Sequence, residues 1–261
     1  MPELPEVEFA VRRLRRAARG RLILALCAHH PAQRRQLPAR VIRQVEGRRI
    51  VDVTRRGKHQ LIALDDGATL LVHFRLNGDW NYSRATAALP AHTRVTLDLS
   101  GGRRVSLTDS RALCTLQWFA PDTPPVLQLG PEPEDPELTA TALRARLARK
   151  AGPIKPALLD QTLLAGVGNI YAAEACWHAR IHPAARSSRL TLARVTRLLG
   201  GLRTTLADGH LNAGRYHRGE RAIPFEVYDR EGDPCSRCAT AIRRIEQAGR
   251  GTWYCPRCQR A

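Results

Sequence analysis

The sequence predicts an α+β multidomain protein: one helix ahead of an antiparallel β-sandwich or barrel, then a helical segment, then a small cysteine-pinned β-hairpin. Three observations carry this. Residues 40–120 alternate apolar and polar side chains around turn signals. Helical spacing takes over after the Pro- and acid-rich stretch "LGPEPEDPE" (129–137). Two CxxC pairs lie close to the C-terminus.

The elements follow in order. Val7, Val11, Leu14 and Ala18 recur at helical spacing over 4–20, and Gly20 can end that helix. Its many arginines read as a solvated face. "HQLIALDDGATLLVHF" reads as two strands around Asp65-Asp66-Gly67, and "RVTLDLSGGRRVSLTD" repeats the pattern around Gly101-Gly102. Residues 129–137 read as a linker. Helices are expected over 139–150, 155–163, 170–179 and 191–208, and Gly200-Gly201 allows a bend in the last.

Lys and Arg number 42 against 24 Asp and Glu, a net charge of +18. Such a surface favours a polyanion, and nucleic acid fits better than an anionic membrane, because no basic helix with strong apolar anchors is found. There is no membrane-length apolar run and no signal-peptide core, so a cytoplasmic compartment is expected. Only three lysines occur, Lys58, Lys150 and Lys155. Lysine at 58, in "RRGKHQ", in a chain that otherwise uses arginine, points to a phosphate contact or proton transfer. The alternative is a solvated strand-end charge.

Cys235 and Cys238 pair with Cys255 and Cys258 across sixteen intervening residues. Four thiolates in two knuckles suit one tetrahedral, structural Zn2+. The scattered Cys27, Cys114 and Cys176 read as small core residues. In "LLAGVGNIYAAEA" (163–175), Asn169 opens a helix whose N-terminus can grip phosphate, or it merely caps that helix. At the start, "MPELPEVE" puts proline behind the initiator methionine. Removal of Met1 exposes a secondary amine with a pKa of about 7.7–8.0, a usable nucleophile near neutral pH. By itself Pro2 reads as a tolerant terminus, and the rest of the sequence has to decide.

"MPELPEVE", "RRGK", "LLAGVGNIYAAEA" and "CSRC…GRGTWYCPRCQ", in that order, resemble the formamidopyrimidine-DNA glycosylase/endonuclease VIII family of base-excision repair enzymes, over essentially the whole chain. The resemblance implies an N-terminal β-sandwich with flanking helices (1–128), a linker (129–137), a helix–two-turn–helix domain (138–224) and a C-terminal zinc finger (225–261). It implies DNA between two lobes and a flipped nucleotide. Pro2 then attacks C1′, Glu3 protonates the opening sugar, and Glu6 fixes the nucleophile. Lys58, Asn169 and Arg250 contact phosphates near the lesion. Lys155 belongs with the DNA-binding residues and marks the formamidopyrimidine-type branch.

Some segments depart from the family pattern. "HFRLNG" (73–78) carries Leu76 where the family has a methionine wedge. "TDSRALC" keeps Arg111 but has Ala112 and Leu113 where arginine and phenylalanine are usual. Leu76 and Leu113 can serve as an apolar wedge. "HLNAGRYHRGERAIPFEVYDREG" (210–232) is not the usual lesion-capping loop. The expected function is a bifunctional glycosylase and abasic-site lyase acting as a monomer on damaged or abasic duplex DNA. The alternatives are an endonuclease VIII-like preference for oxidised pyrimidines or hydantoins, and a non-catalytic zinc-dependent DNA-binding protein.

Overall fold

The computed structural model describes residues 2–217 and 225–260, with the side chains of 213–217 left aside. Residues 218–224 of the unusual 210–232 stretch lie outside the described residues. The chain divides into two compact units, Met1–Leu127 and Gln128–Ala261.

Unit 1 opens with α1 (Leu4–Ala18). Leu4, Val7, Val11, Leu14 and Ala18 form its buried stripe, and each large member contributes about 1.5–3 kcal/mol by leaving water. The outer face is charged and paired: Arg12 with Glu8 at 2.8 Å, and Arg15 with Asp52 at 2.6 Å. Next come β1 (Ile23–Ala28), α2 (Pro31–Gln36) and α3 (Ala39–Val45). The sequence does not announce these: β1 lacks strict alternation of buried and exposed positions, and the two helices span no more than about two turns. The remaining strands are β2 (Ile50–Arg56), β3 (His59–Leu64), β4 (Thr69–His73), β5 (Asp79–Arg84), β6 (Thr93–Leu99), β7 (Arg103–Thr108) and β8 (Thr115–Phe119).

They form two antiparallel four-stranded sheets, β1-β6-β7-β5 and β2-β3-β4-β8. Ile23, Leu97 and Leu107 of one sheet share a core with Val53, Ile62 and Leu70 of the other, so the architecture is a sandwich. Both expected hairpins form, with Gly67 at φ 87 and Gly101 and Gly102 at φ 80 and 66.

Unit 2 contains α4 (Ala140–Ala148), α5 (Ile154–Leu158), α6 (Asn169–His178) and α7 (Leu192–His217). Thr139 caps α4, its hydroxyl accepting from Ala142 N at 3.1 Å. Helix α5 is shorter than 155–163. Asp160 ends it by accepting from the Thr162 N–H and hydroxyl at 2.9 and 2.7 Å. Helix α7 continues through Gly200-Gly201. A Cβ at Gly201 would lie 2.9 Å from Ala175 O, so this glycine serves close approach to α6. The 129–137 stretch is part of unit 2 and packs within it: Gly130 N donates to Gln161 O at 2.9 Å, and Arg203 Nε to Pro133 O at 2.9 Å.

The module ends in a hairpin of β9 (Arg243–Gln247) and β10 (Arg250–Tyr254). Cys114 and Cys176 are buried, and desolvation pushes both thiols up to about 12. Cys27 is a correction: it falls on an exposed position of β1.

Candidate functional site

The site in unit 1 begins at the α1 N-terminus. Glu3 is the N-cap residue and is 1% exposed. Its backbone N–H donates to Glu6 Oε2 at 2.9 Å, and a reciprocal capping box closes the turn. The helix N-terminus favours carboxylates at this depth. Glu6 therefore immobilises the residue that follows half-buried Pro2. An amine at Pro2 would sit one peptide from a buried acid.

Lys58 lies in the two-residue turn between β2 and β3, behind Gly57 at φ 57, where this hairpin geometry calls for glycine. It is 7% exposed, which excludes a solvated strand-end charge. Its neighbourhood is built from β3 and β4. His59 and His73 face each other across the strands with ring centroids 4.7 Å apart. Burial, then His59, Arg75 and Lys58, depress His73 to about 3, so it stays neutral. Its Nδ1 accepts from Arg75 N at 2.9 Å and shapes the loop carrying Leu76.

Leu76, Arg111 and Leu113 occupy two loops of unit 1. All three are exposed, Leu113 by 48%. Asn77 Nδ2 donates to Ser110 Oγ at 3.1 Å and ties the loops together. Sequence reasoning missed the organiser, Asp109. Its buried carboxylate accepts from Arg111 N at 2.9 Å and from Leu113 N and Cys114 N at 2.7 Å. Ala112 between them takes φ 55. An aspartate two residues ahead of Arg111 is a turn signal, and it was legible in "TDSRALC".

The corresponding region of unit 2 is polar and buried. Gly168 caps α6, so Asn169 is its first helical residue and not the cap. The Asn169 side chain instead donates from Nδ2 to Gly251 O at 3.1 Å and accepts from Lys155 Nζ. Lys155 is 0% exposed and also donates to Thr252 Oγ1 at 2.8 Å. Its ammonium joins α5, α6 and the hairpin.

Glu174 is a second buried support, unanticipated although a lone acid in "IYAAEACW" stands out. It accepts from the backbone N–H groups of Glu226, Val227 and Tyr228 at 2.8–2.9 Å. Burial pushes its carboxyl up, and those three donors oppose the shift. Arg250 is exposed and follows the Ala248-Gly249 turn, where φ is 50 and 70. That turn puts its guanidinium at the hairpin tip.

The thiol sulfurs of Cys235, Cys238, Cys255 and Cys258 all lie within 4.8 Å of one another. A tetrahedral zinc with bonds of about 2.3 Å requires sulfurs about 3.8 Å apart. The pairs Cys235–Cys258 and Cys238–Cys255 stand at 3.9 and 3.5 Å. Burial pushes Cys258 up to about 12, while Thr240 pulls Cys238 down to about 6. Four thiols this close ionise together only around a cation. The set fits one zinc ion, whose chemistry here is a cross-link between the two knuckles. Ala173 and Trp177 of α6 pack against Cys235 and Cys255, joining that cross-link to the helix that carries Asn169.

Comparison with known proteins agrees over the whole chain. Residues 1–116 match the formamidopyrimidine-DNA glycosylase N-terminal domain, 129–215 its H2TH domain, and 232–261 the zinc finger found in FPG and IleRS. A formamidopyrimidine-DNA glycosylase of Chloroflexus aggregans is 40% identical over 99% of this chain and 98% of its own. One from Thermomicrobium roseum is 41% identical over 99% of each. Among solved structures, MutM in complex with DNA containing carbocyclic 8-oxo-G superposes with a TM-score of 0.92 at 31% identity, covering all of both chains. The Lactococcus lactis enzyme, non-covalently bound to DNA with an AP site, gives 0.89 at 30% identity, covering 99% of this chain and 100% of that one.

Proposed function

The chain belongs to the formamidopyrimidine-DNA glycosylase family, and from that premise we propose that it excises oxidised bases from duplex DNA and then cleaves the abasic strand through an imine on Pro2. The observation that carries this is the buried Glu3 beside Pro2, held by Glu6 at 2.9 Å. The capping box accounts for a carboxylate at this position, and what binding alone does not call for is a terminal secondary amine beside it.

Once Met1 is removed, the Pro2 nitrogen attacks C1′ as the glycosidic bond breaks, and the base departs with a proton. Glu3 donates a proton to O4′, the sugar ring opens, and a cationic iminium forms. That cation takes up electrons as a C2′ proton leaves and the 3′ C–O bond breaks. The 5′ phosphate follows in a second elimination, and water releases the amine. Lys58 stabilises phosphate charge in its low-dielectric setting.

Asn169 and Arg250 hold phosphates, and Lys155 positions Asn169. Zinc takes no part in bond making. Leu76 and Leu113 fill the space left by the extruded nucleotide, and Arg111 reads the orphaned base. The family's named substrate class favours oxidised purines, with loosened opposite-base preference because Ala112 and Leu113 offer fewer contacts there. The protein acts as a monomer on DNA in the cytoplasm. Among the described residues no helix is long and apolar enough to cross a membrane.

Incubation with duplexes carrying 8-oxoguanine, dihydrouracil, a hydantoin or an abasic site, with and without borohydride, tests the proposal. A reduced covalent protein–DNA adduct is expected. Its absence on every duplex, in protein shown by mass spectrometry to lack Met1, would leave only the binding reading.

A further inference from the structure

Arg180, Arg237, Arg257 and Arg260 are exposed and line one open cavity of about 600 Å³ beside Cys238 and Cys258. They arrive from separate places in the chain. Arg180 follows α6, Arg237 sits inside the first CxxC, and Arg257 sits inside the second. No carboxylate lines the cavity among the described residues. Glu226, close enough to act on Arg237, is engaged by the Ser236 hydroxyl.

One of these guanidinium groups is held in place, and the backbone of a second is fixed. Arg237 lies over the Trp177 ring, with Cζ 3.3 Å from the centroid, and its Nη1 donates to Trp177 O at 2.6 Å. Arg180 takes φ 57 at the end of α6, where its N–H donates to Trp177 O at 3.1 Å and Ile181 N to Cys176 O at 2.9 Å. That pattern normally ends in glycine, because a Cβ in the left-handed region costs about 1–2 kcal/mol. Arginine there tolerates strain to bring one more guanidinium to the rim.

Zinc accounts for part of this charge. A zinc ion with four thiolates carries two negative charges and Glu226 adds one, and four guanidinium groups exceed that sum by one. The surplus calls for an anion. Arg250 cannot share that anion. It starts β10, and at about 3.3 Å per residue it stands about 13 Å from Tyr254, which adjoins the second knuckle.

We propose that this arginine cavity is a second phosphodiester-binding site, taking DNA backbone phosphates other than those near the lesion. The inference rests on the DNA-binding reading above. Guanidinium forks match phosphate oxygens in pairs, and several converging on one cavity favour a phosphate over a halide or a lone carboxylate.

The test combines Arg180→Ala, Arg257→Ala and Arg260→Ala and leaves Arg237 on Trp177. Affinity for an undamaged duplex is followed over a salt series, in protein whose zinc content is verified with a chromophoric chelator. The log–log salt slope should shrink by about 0.9 for each phosphate that is no longer neutralised. Lysine at the same three positions should restore most of it. An unchanged slope in the zinc-loaded alanine protein overturns the site and leaves the arginines as counter-charges to the zinc thiolates. Should the triple variant lose zinc, the single Arg257→Ala protein is read in the same way. A slope change seen only with longer duplexes assigns the phosphates to the flank of the bound DNA. Altered dissociation under competitor duplex assigns them to a second DNA segment. Wild-type protein that fails to bind duplex at all sinks the DNA reading itself, whereas wild-type binding with an unchanged variant slope sinks only the second site.

Discussion

The two units place their functional residues by opposite means. In unit 1, Glu3, Lys58 and the Asp109 loop stand at the margins of an apolar sandwich core that supplies most of the scaffold, with local caps such as Glu6 and Asp109 fixing the turns. In unit 2, the residues assigned to the phosphate grip depend on buried polar groups, Lys155, Glu174 and Thr252, and on a four-cysteine cluster. A satisfied buried polar network gives modest net stability, but it is expensive to break, because each orphaned partner loses its solvation. Unit 1 should therefore lose chemistry without losing structure, and unit 2 should lose its grip through its supports.

The largest effect tests that contrast directly. Chelation, or Cys255→Ser, removes a cross-link of a kind worth about 10–16 kcal/mol in apparent zinc-binding energy. DNA affinity should collapse while the sheet signature of unit 1 in circular dichroism persists. Loss of both together would erase the distinction.

Pro2→Gly probes the other side. Cleavage should fall on the order of 10³-fold or more, with retained affinity for an abasic-analogue duplex in a gel-shift titration. Full retained cleavage would end the proline mechanism.

Lys155→Met removes the donor shared by Asn169 and Thr252, at about 1–3 kcal/mol for each orphaned acceptor. Thermal unfolding of unit 2 and DNA affinity should both fall, while single-turnover cleavage at saturating DNA stays within a few-fold. A cleavage defect with normal affinity would restore Lys155 as a direct participant. Asp109→Asn puts an NH2 group against the N–H of Arg111 or, in the other amide orientation, against those of Leu113 and Cys114. About 1–3 kcal/mol of unit 1 stability should go, together with part of the discrimination between opposite bases in competition assays.

A further effect is spread over pH. His73 titrates at about 3 in the folded chain because burial excludes its charged form, against about 6.5 unfolded. The unfolded chain then binds more protons between those values. Stability of unit 1 is present above about pH 6.5 and is lost as pH falls toward 3, at up to about 1.4 kcal/mol per pH unit. His73→Gln should flatten that decline in denaturant titrations. In unit 2, Asp160, held to about 2 by Lys150 and Thr162, contributes stability above about pH 3.8 that is lost only as pH falls toward 2. Unit 1 should therefore respond to acid first.

Local chemistry made much of this legible. The Asp65-Asp66-Gly67 and Gly101-Gly102 turns, the Thr139 cap and the α1 stripe are written in adjacent residues, and each formed where its pattern lies. So did the four cysteines, because ligand spacing is itself a local property. Element β1 was missed because its buried positions do not alternate strictly, and α2 and α3 because about two turns or fewer display no helical stripe. The α7 helix ran through Gly200-Gly201 because tertiary packing against α6 overrode propensity.

Local pattern was enough for the module order, the basic charge and the zinc ligands. Tertiary structure alone decided that Lys58 is buried, that Lys155 supports Asn169 instead of meeting solvent, that Asp109 organises the Arg111 loop, and that arginines distant in the chain meet beside the knuckles. The physical reason is range. Turns, caps and metal knuckles are settled by neighbours a few residues apart. Burial and hydrogen bonds between residues 14 to 97 apart depend on which surfaces the folded core brings together.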